Sequence, residues 1–223
     1  MPIYHDVEQG SDQWLALHMG IPTMSQAHRI MTPEKRKLST QSIGYIHEKL
    51  VEMFLGVPYD GTSTEFMRRG TKLESKAVDY YEFATGLTTK PVGFVTSDDG
   101  TVGASPDRLV GDEGLLEVKA FGAKHHIAAL LDDDKDYFIQ MQGQLWISGR
   151  QWCDRLYFYP DMEIFPSIIK RVERDEDYIS DLGDAVADFN QRLWTARDTL
   201  LARGCKPCKQ PEPIIYLQEA EAA

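Results

Sequence analysis

From residue 91 to residue 120 the chain reads "PVGFVTSDDGTVGASPDRLVGDEGLLEVKA", short apolar runs divided by "DDG" and "GDEG". Runs of this length, rich in valine and leucine and bounded by turn residues, read as strands. The segments on either side have a different period. "STQSIGYIHEKLVEMFLG" (39–56) is a helix closed by Gly56, and "TEFMRRGTKLESKAVDYYEFATG" (64–86) sets Phe66, Leu73, Ala77 and Tyr80 at helical spacing before Gly86. "TMSQAHRIM" (23–31) is a short helix with Ser25 near its N-cap, and "YFIQMQGQLWISG" (137–149) is helical again. "CDRLYFYP" (153–160) and "EIFPSIIKRVE" (163–173) read as two more strands, and a last helix runs from about Asp177 to Arg203. This order predicts an α/β or α+β fold, a central mixed sheet flanked by helices. The runs 91–97, 101–110 and 114–120 are expected to form an antiparallel meander.

At 223 residues the chain can bury a proper core as one domain, with a loosely ordered tail from about 204 to 223. No run of about 18 apolar residues suggests a membrane span, and the polar start "MPIYHDVEQG" lacks a signal-peptide core. Three cysteines, an odd number, point to a reducing, cytoplasmic setting. The net charge of -11 excludes a binder that relies on bulk attraction to phosphate. Any contact with nucleic acid must use a local basic patch, or metal ions held by the chain's own acids.

Asp107, Glu117 and Lys119 are awkward company for strands made for a core. In the hairpin around "GDEG" a two-residue loop pairs Glu117 with Arg108, and a one-residue adjustment brings it opposite Asp107. Neighbouring strands lie about 4.8 Å apart, so both carboxylates could grip one small cation. Lys119 follows on the same face, about 6.6 Å along the strand, while Leu116 and Val118 point the other way. Paired carboxylates either raise a pKa or bind a cation, and oxygen ligands with room for water suit magnesium. The lysine can then orient or deprotonate an attacking water, or offset charge on phosphorus. That is metal-assisted phosphodiester hydrolysis; an ordinary hairpin with a solvated Glu117–Lys119 pair is the alternative. Asp60 with Glu74-Ser75-Lys76 repeats the pattern, but residues two apart on a helix face different ways.

Ser105-Pro106-Asp107 with Glu117-Val118-Lys119 resembles the PD-(D/E)xK nuclease motif, and the surroundings narrow it to the lambda exonuclease type of viral recombination nuclease. Four further stretches are similar to that family in order: 7–31, 68–83, 137–149 and 172–178. The resemblance implies magnesium-dependent digestion of linear duplex DNA from its 5′ ends, to mononucleotides and a 3′ single-stranded tail. It implies two magnesium ions per site, with manganese substituting, and a phage or prophage setting. It also implies a homotrimeric ring around DNA and a single-strand-annealing partner in recombination. Asp107 and Glu117 would be metal ligands, with the Val118 carbonyl as a third, and Lys119 would act on the water. Glu74 would be an additional acid near the second metal, or else a helix-surface glutamate pairing with Lys72 or Lys76. Gln140 would face the site, or be a half-buried helix amide.

For DNA, the resemblance implies Ser25 and Ser105 as donors to the 5′-phosphate, although Ser25 also fits a plain N-cap. Trp14 would lie near the DNA path or in the core, and Met67 would wedge into the duplex end or pack internally. The family has an arginine where this chain has His18, which lacks the arginine fork and is charged only part of the time. Either dependence on a 5′-phosphate is weaker here, or a cation such as Arg29, Lys35 or Arg36 takes over. A repair or restriction endonuclease of the same superfamily, or an inactive DNA-end-binding protein, are the competing functions. Cys205-x-x-Cys208 is half a metal site and reads as exposed thiols. "DDDKD" (132–136) reads as a solvated loop, and "KHH" (124–126) as a phosphate contact or a charged helix start.

Overall fold

The computed structural model describes residues 1–59, 65–120, 122–131 and 137–208, and for 65–72 the backbone only. The elements in order are β1 (Ile3–His5), α1 (Asp12–His18), a 3-10 helix (Met24–Arg29), α2 (Ser42–Leu55), α3 (Glu65–Thr85), β2 (Thr89–Pro91), β3 (Phe94–Thr96), β4 (Gly103–Ala104), β5 (Arg108–Val110), β6 (Gly114–Lys119), α4 (Ala123–Leu130), α5 (Phe138–Ser148), β7 (Trp152–Phe158), β8 (Ser167–Glu173) and α6 (Glu176–Ala202). Five strands form a mixed sheet in the order β2-β5-β6-β7-β8, and β1-β3-β4 form a smaller one. Only β6 and β7 pair in parallel within the larger sheet, which requires a crossover, and α4 and α5 supply it. Among the described residues no helix is long and apolar enough to cross a membrane.

Two expectations change. The run 101–110 is not one strand: β4 pairs with β3 in the small sheet and β5 with β6 in the large one. Pro106 has no N–H to give a ladder, so the chain leaves one sheet at Ser105-Pro106 and enters the other. The short helix after residue 23 is 3-10 rather than α, and Thr23, not Ser25, stands at its N-cap. β1, α1 and β2 were not expected from the pattern, being too short for a period to register. Gly56 and Gly86 end α2 and α3 with left-handed φ of 66° and 70°, as a C-terminal glycine should.

The sheet separates two packing layers. Leu116, Leu156 and Phe158 meet Ala77, Val78 and Tyr81 of α3 on one face. Leu115 and Cys153 meet Met141 and Leu145 of α5 on the other. The α3 face also holds Asp154, which accepts from the Tyr81 hydroxyl at 2.7 Å and is gripped by Arg171 at 2.7 and 2.8 Å. Buried charge of this kind is held by paired hydrogen bonds. A larger core joins α2, α6, the 3-10 helix and the small sheet through Met24, Ile30, Tyr45, Phe189 and Leu193. Gly143 lets α5 approach that helix closely, since a Cβ there would collide with Met24. Met67 lies in α3, and its side chain is outside the described residues, as are residues 132–136 and the tail beyond 208. The first five residues of the expected tail, 204–208, are exposed, and the Cys208 N–H donates to the Met53 carbonyl.

Candidate active site

The β5–β6 hairpin closes with Val110 opposite Gly114, leaving Gly111, Asp112 and Glu113 as a three-residue loop. Gly111 takes the left-handed φ of 51° that this turn requires. Arg108 therefore pairs with Leu116, and the register carries Asp107 opposite Glu117. This is the one-residue adjustment the sequence allowed, not the two-residue loop. Asp107 Oδ2 accepts the Val118 N–H at 2.6 Å, which fixes the carboxylate beside the strand.

Glu117 is buried, 4% exposed, and three donors converge on it. Lys119 Nζ donates to Oε1 at 2.6 Å, Gln140 Nε2 to Oε1 at 2.8 Å, and Gln144 Nε2 to Oε2 at 2.7 Å. Gln140 also accepts from Lys119 Nζ at 3.2 Å. The packing of α5 across the β6–β7 face thus aims both glutamines at one carboxylate. Lys119 Nζ stands 4.6 Å from the centre of the Tyr137 ring, and Arg155, paired with Glu117 by register on β7, lies 5.9 Å from the same ring.

Charge in the cluster is strained in a definite direction. Burial, and then the Glu117 charge, push Asp107 well above the usual carboxylate range despite Lys119 and the Val118 N–H. Burial also raises Glu74, with Glu117 adding to it and Arg108 opposing. For Lys119, burial works to lower the pKa, but the charge and hydrogen bond of Glu117 and the charge of Asp107 win and raise it. The two carboxylates thus favour the ammonium form of Lys119.

The carboxylate pair suits a hard cation, because Asp107 is pushed toward its neutral form by its own surroundings and a cation would offset that. Among the described residues no group of three or more His, Cys, Asp or Glu gathers closely enough to hold a metal alone. Two carboxylates, with the Val118 carbonyl, are the incomplete oxygen set that magnesium takes when it keeps several waters.

A second cluster adjoins the first through Ser105. Trp14 Nε1 donates to Ser105 Oγ at 3.1 Å and to the Gly93 carbonyl at 3.1 Å. His18 lies between the Trp14 and Phe94 rings, at centroid distances of 3.7 and 4.1 Å. Its Nδ1 is 2.7 Å from the Trp14 carbonyl, which can only accept, so Nδ1 carries the proton. Nε2 of the neutral ring is then an acceptor, and Ser105 donates its hydroxyl to it at 3.2 Å. Burial lowers the His18 pKa to about 4, so His18 is not the part-time cation the sequence suggested.

Two of the three alternative cations are engaged elsewhere. Arg29 makes two bonds to Glu48, at 2.6 and 2.7 Å. Arg36 pairs with Asp181 at 3.1 Å and lies over the Tyr178 ring, while Lys35 is exposed. Ser25 is exposed, with its Oγ 3.2 Å from Thr23 Oγ1. The structure thus gathers Asp107, Glu117, Val118, Lys119 and Gln140, sets Glu74 within electrostatic reach, and joins Trp14, His18 and Ser105 alongside. "KHH" falls in the first turn of α4.

Gln144 and Gln9 were missed in the sequence. Gln144 follows Gln140 by four residues, one turn on the same helix face, and that spacing was a usable signal. Gln9 donates to the Val92 and Pro106 carbonyls at 2.9 and 3.0 Å and pins the corner before Asp107. No spacing rule points to it.

Residues 13–151 match the family described as the YqaJ-like viral recombinase domain. An alkaline exonuclease from Laribacter hongkongensis superposes with a TM-score of 0.79 at 29% identity, over 87% of this chain and 98% of that one. The structure of that exonuclease in complex with dAMP gives 0.80 at 30% identity, with the same coverage. A phage-related exonuclease from Haemophilus somnus 129PT shares the fold, with a TM-score of 0.64 at 16% identity over 85% of this chain and 99% of that one. No curated protein matches the sequence.

Proposed function

The chain belongs to the family of YqaJ-like viral recombinase domains and is a nuclease, and from that premise we propose that it is a magnesium-dependent 5′→3′ exonuclease of linear double-stranded DNA. The observation that carries the reading is the clamped set of Asp107, Glu117 and Lys119, with Gln140 bridging the last two. Asp107, Glu117 and the Val118 carbonyl would hold the cation, and Glu74 would serve a second ion or its waters. The cation, magnesium or manganese, would polarise the phosphoryl oxygen and acidify a bound water.

The chain's own residues do the rest. Glu117, held by its three donors, cannot swing away from Asp107. Lys119 keeps a positive charge beside the site, where it offsets the charge that grows on phosphorus as water adds. The P–O3′ bond breaks, so the departing nucleotide keeps a 3′-hydroxyl and the shortened strand gains a 5′-phosphate. The dAMP bound to the Laribacter exonuclease supports a mononucleotide as the product here too. Trp14, Ser105, Ser25 and Met67 are proposed for the DNA end, and Arg36 as a reserve cation. A homotrimeric ring and a single-strand-annealing partner complete the proposal.

The test uses linear duplex DNA labelled separately at its 5′ and 3′ ends, beside a closed circle, with magnesium present. Early release of the 5′ label as mononucleotide, with the circle intact, is the expected result. A cut circle would establish an endonuclease, and no digestion with either metal would leave an end-binding protein.

A further inference from the structure

Tyr137 caps the start of α5, and Gln140 and Gln144 follow three and seven residues on, so the three share one face of the helix. The two glutamines spend their amide nitrogens on Glu117. Tyr137 adds an aromatic ring to the same row. It packs against the core of Leu115, Met141, Leu145 and Cys153. Lys119 Nζ lies over that ring, 4.6 Å from its centre, within the range in which a ring face attracts an ammonium. The buried Arg155 guanidinium lies 5.9 Å from the same centre and 5.1 Å from that of Tyr157, which pairs with Lys119 by register on β7.

The partners of Lys119 differ in how they respond to charge. Nζ donates to Glu117 Oε1 at 2.6 Å and to Gln140 Oε1 at 3.2 Å. Glu117 is also a carboxylate proposed to hold the cation. With its charge taken up in that way, its pull on the ammonium weakens, and two like charges share the site. The Gln140 amide oxygen and the Tyr137 ring are neutral, so their attraction for the ammonium does not depend on the charge of Glu117. The Gln140 bond is at the long end of the usual range. A lysine stem is flexible and carries its charge at a point, so it needs a wall to fix that point.

We infer that Tyr137 is a positioning residue for Lys119, whose ammonium its ring face keeps at the site while Glu117 holds the cation. The inference rests on the proposed nuclease reading and deepens it. Tyr137 acts through Lys119 and not on the substrate, so its effect falls on kcat and not on KM. The face of the ring does this work and the hydroxyl does not.

Two variants separate the ring's charge from its packing. Tyr137→Phe keeps the face and removes the hydroxyl, whereas Tyr137→pentafluorophenylalanine keeps the shape and reverses the charge of the face. The first is expected to retain kcat on linear duplex DNA within about twofold. The second is expected to lower it about tenfold, the scale of a desolvated cation–π contact. KM and the magnesium concentration for half-maximal rate should move less than about twofold in either. A second readout needs no turnover. In the chain carrying 13C-labelled lysine, the Cε–H signal missing from Lys119→Met is that of Lys119, and the ring above it should shift it upfield. Magnesium alone, without DNA, is expected to leave the signal upfield in the unaltered chain and to release it in the pentafluorophenylalanine chain. Equal kcat in the two variants, or a signal that leaves its upfield position when magnesium is added to the unaltered chain, would overturn the inference and leave the nuclease reading standing. No digestion by the unaltered chain would overturn that reading, and this role with it.

Discussion

Gln144 donates to Glu117 Oε2 at 2.7 Å from one helical turn beyond Gln140, which donates to Oε1 at 2.8 Å. With Lys119 as a third donor, the carboxylate has no freedom to rotate. Outer partners that orient a metal-binding carboxylate are typically worth 10–100-fold in activity. Gln144→Leu keeps the volume and removes one donor. Its kcat on linear duplex is expected to fall by about 10–100-fold with KM little changed. Steady-state kinetics beside a thermal melt checks this, and an unchanged rate in a folded variant would show that Lys119 and Gln140 suffice.

Lys119 is held as an ammonium by Glu117 and Asp107. A residue that stabilises developing charge contributes in the transition state more than in the ground state, so its loss appears in kcat. Lys119→Met is expected to lower kcat by about 100-fold or more, while the magnesium concentration for half-maximal rate moves only a few-fold. Titrating the rate against magnesium in both proteins separates the two effects.

In the proposed function Asp107 links metal, pH and stability. Its folded pKa is raised, so the folded state holds its proton more tightly than the unfolded chain does. That contribution to stability is fully present below about pH 3.9, the unfolded value, and is lost as pH rises through the raised folded value. A bound cation would return it. Magnesium is therefore expected to raise the melting temperature more at pH 8 than at pH 5. Asp107→Asn should raise the metal-free melting temperature at pH 8 and abolish the magnesium increment. Differential scanning in magnesium and in EDTA at both pH values measures this, and an equal increment in the variant would remove Asp107 from the metal site.

The sequence disclosed the candidate site of this protein more readily than its supports. Asp107, Glu117 and Lys119 were legible because a hairpin turn and a two-residue repeat fix which side chains share a face. The helices α2, α3, α5 and α6 were legible from period and from Gly56 and Gly86. The break at Ser105-Pro106, which moves the chain from one sheet to the other, was not, since alternation along 101–110 looks the same either way. The donation by Gln9 spans 97 residues to Pro106, and only the folded chain brings them together. His18 shows the same limit: composition gives an imidazole, but burial between Trp14 and Phe94 decides its charge.

That burial makes His18 a liability in acid. Its folded pKa of about 4 lies below the ordinary value of 6.5. The stability this represents is present above about pH 6.5 and is lost as pH falls through about 4, at most roughly 3 kcal/mol. His18→Gln can still donate and accept without titrating, and it is expected to flatten the fall in unfolding free energy between pH 6.5 and 4. Urea unfolding at half-unit pH steps checks it, and identical slopes in the two proteins would show that His18 is protonated without loss in the fold.

The same geometry sets what the residues proposed for the DNA end can offer a 5′-phosphate. Ser105 gives its proton to His18 Nε2 and receives one from Trp14, so its hydroxyl is occupied on both counts. His18 is neutral, and Arg29 and Arg36 are paired with Glu48 and Asp181. A phosphate arriving beside Ser105 would therefore meet neither a free donor nor a charge from these residues, and it gains little over a hydroxyl end. At pH 8 the two kinds of end are expected to be digested within a few-fold of each other. His18→Arg supplies a fixed charge and a fork of donors. That variant should favour the phosphorylated end by about tenfold, the equivalent of roughly 1.4 kcal/mol. Initial rates on duplexes differing only in the 5′ group measure both, and a strong phosphate preference that survives His18→Ala would place the anchoring cation elsewhere in the chain.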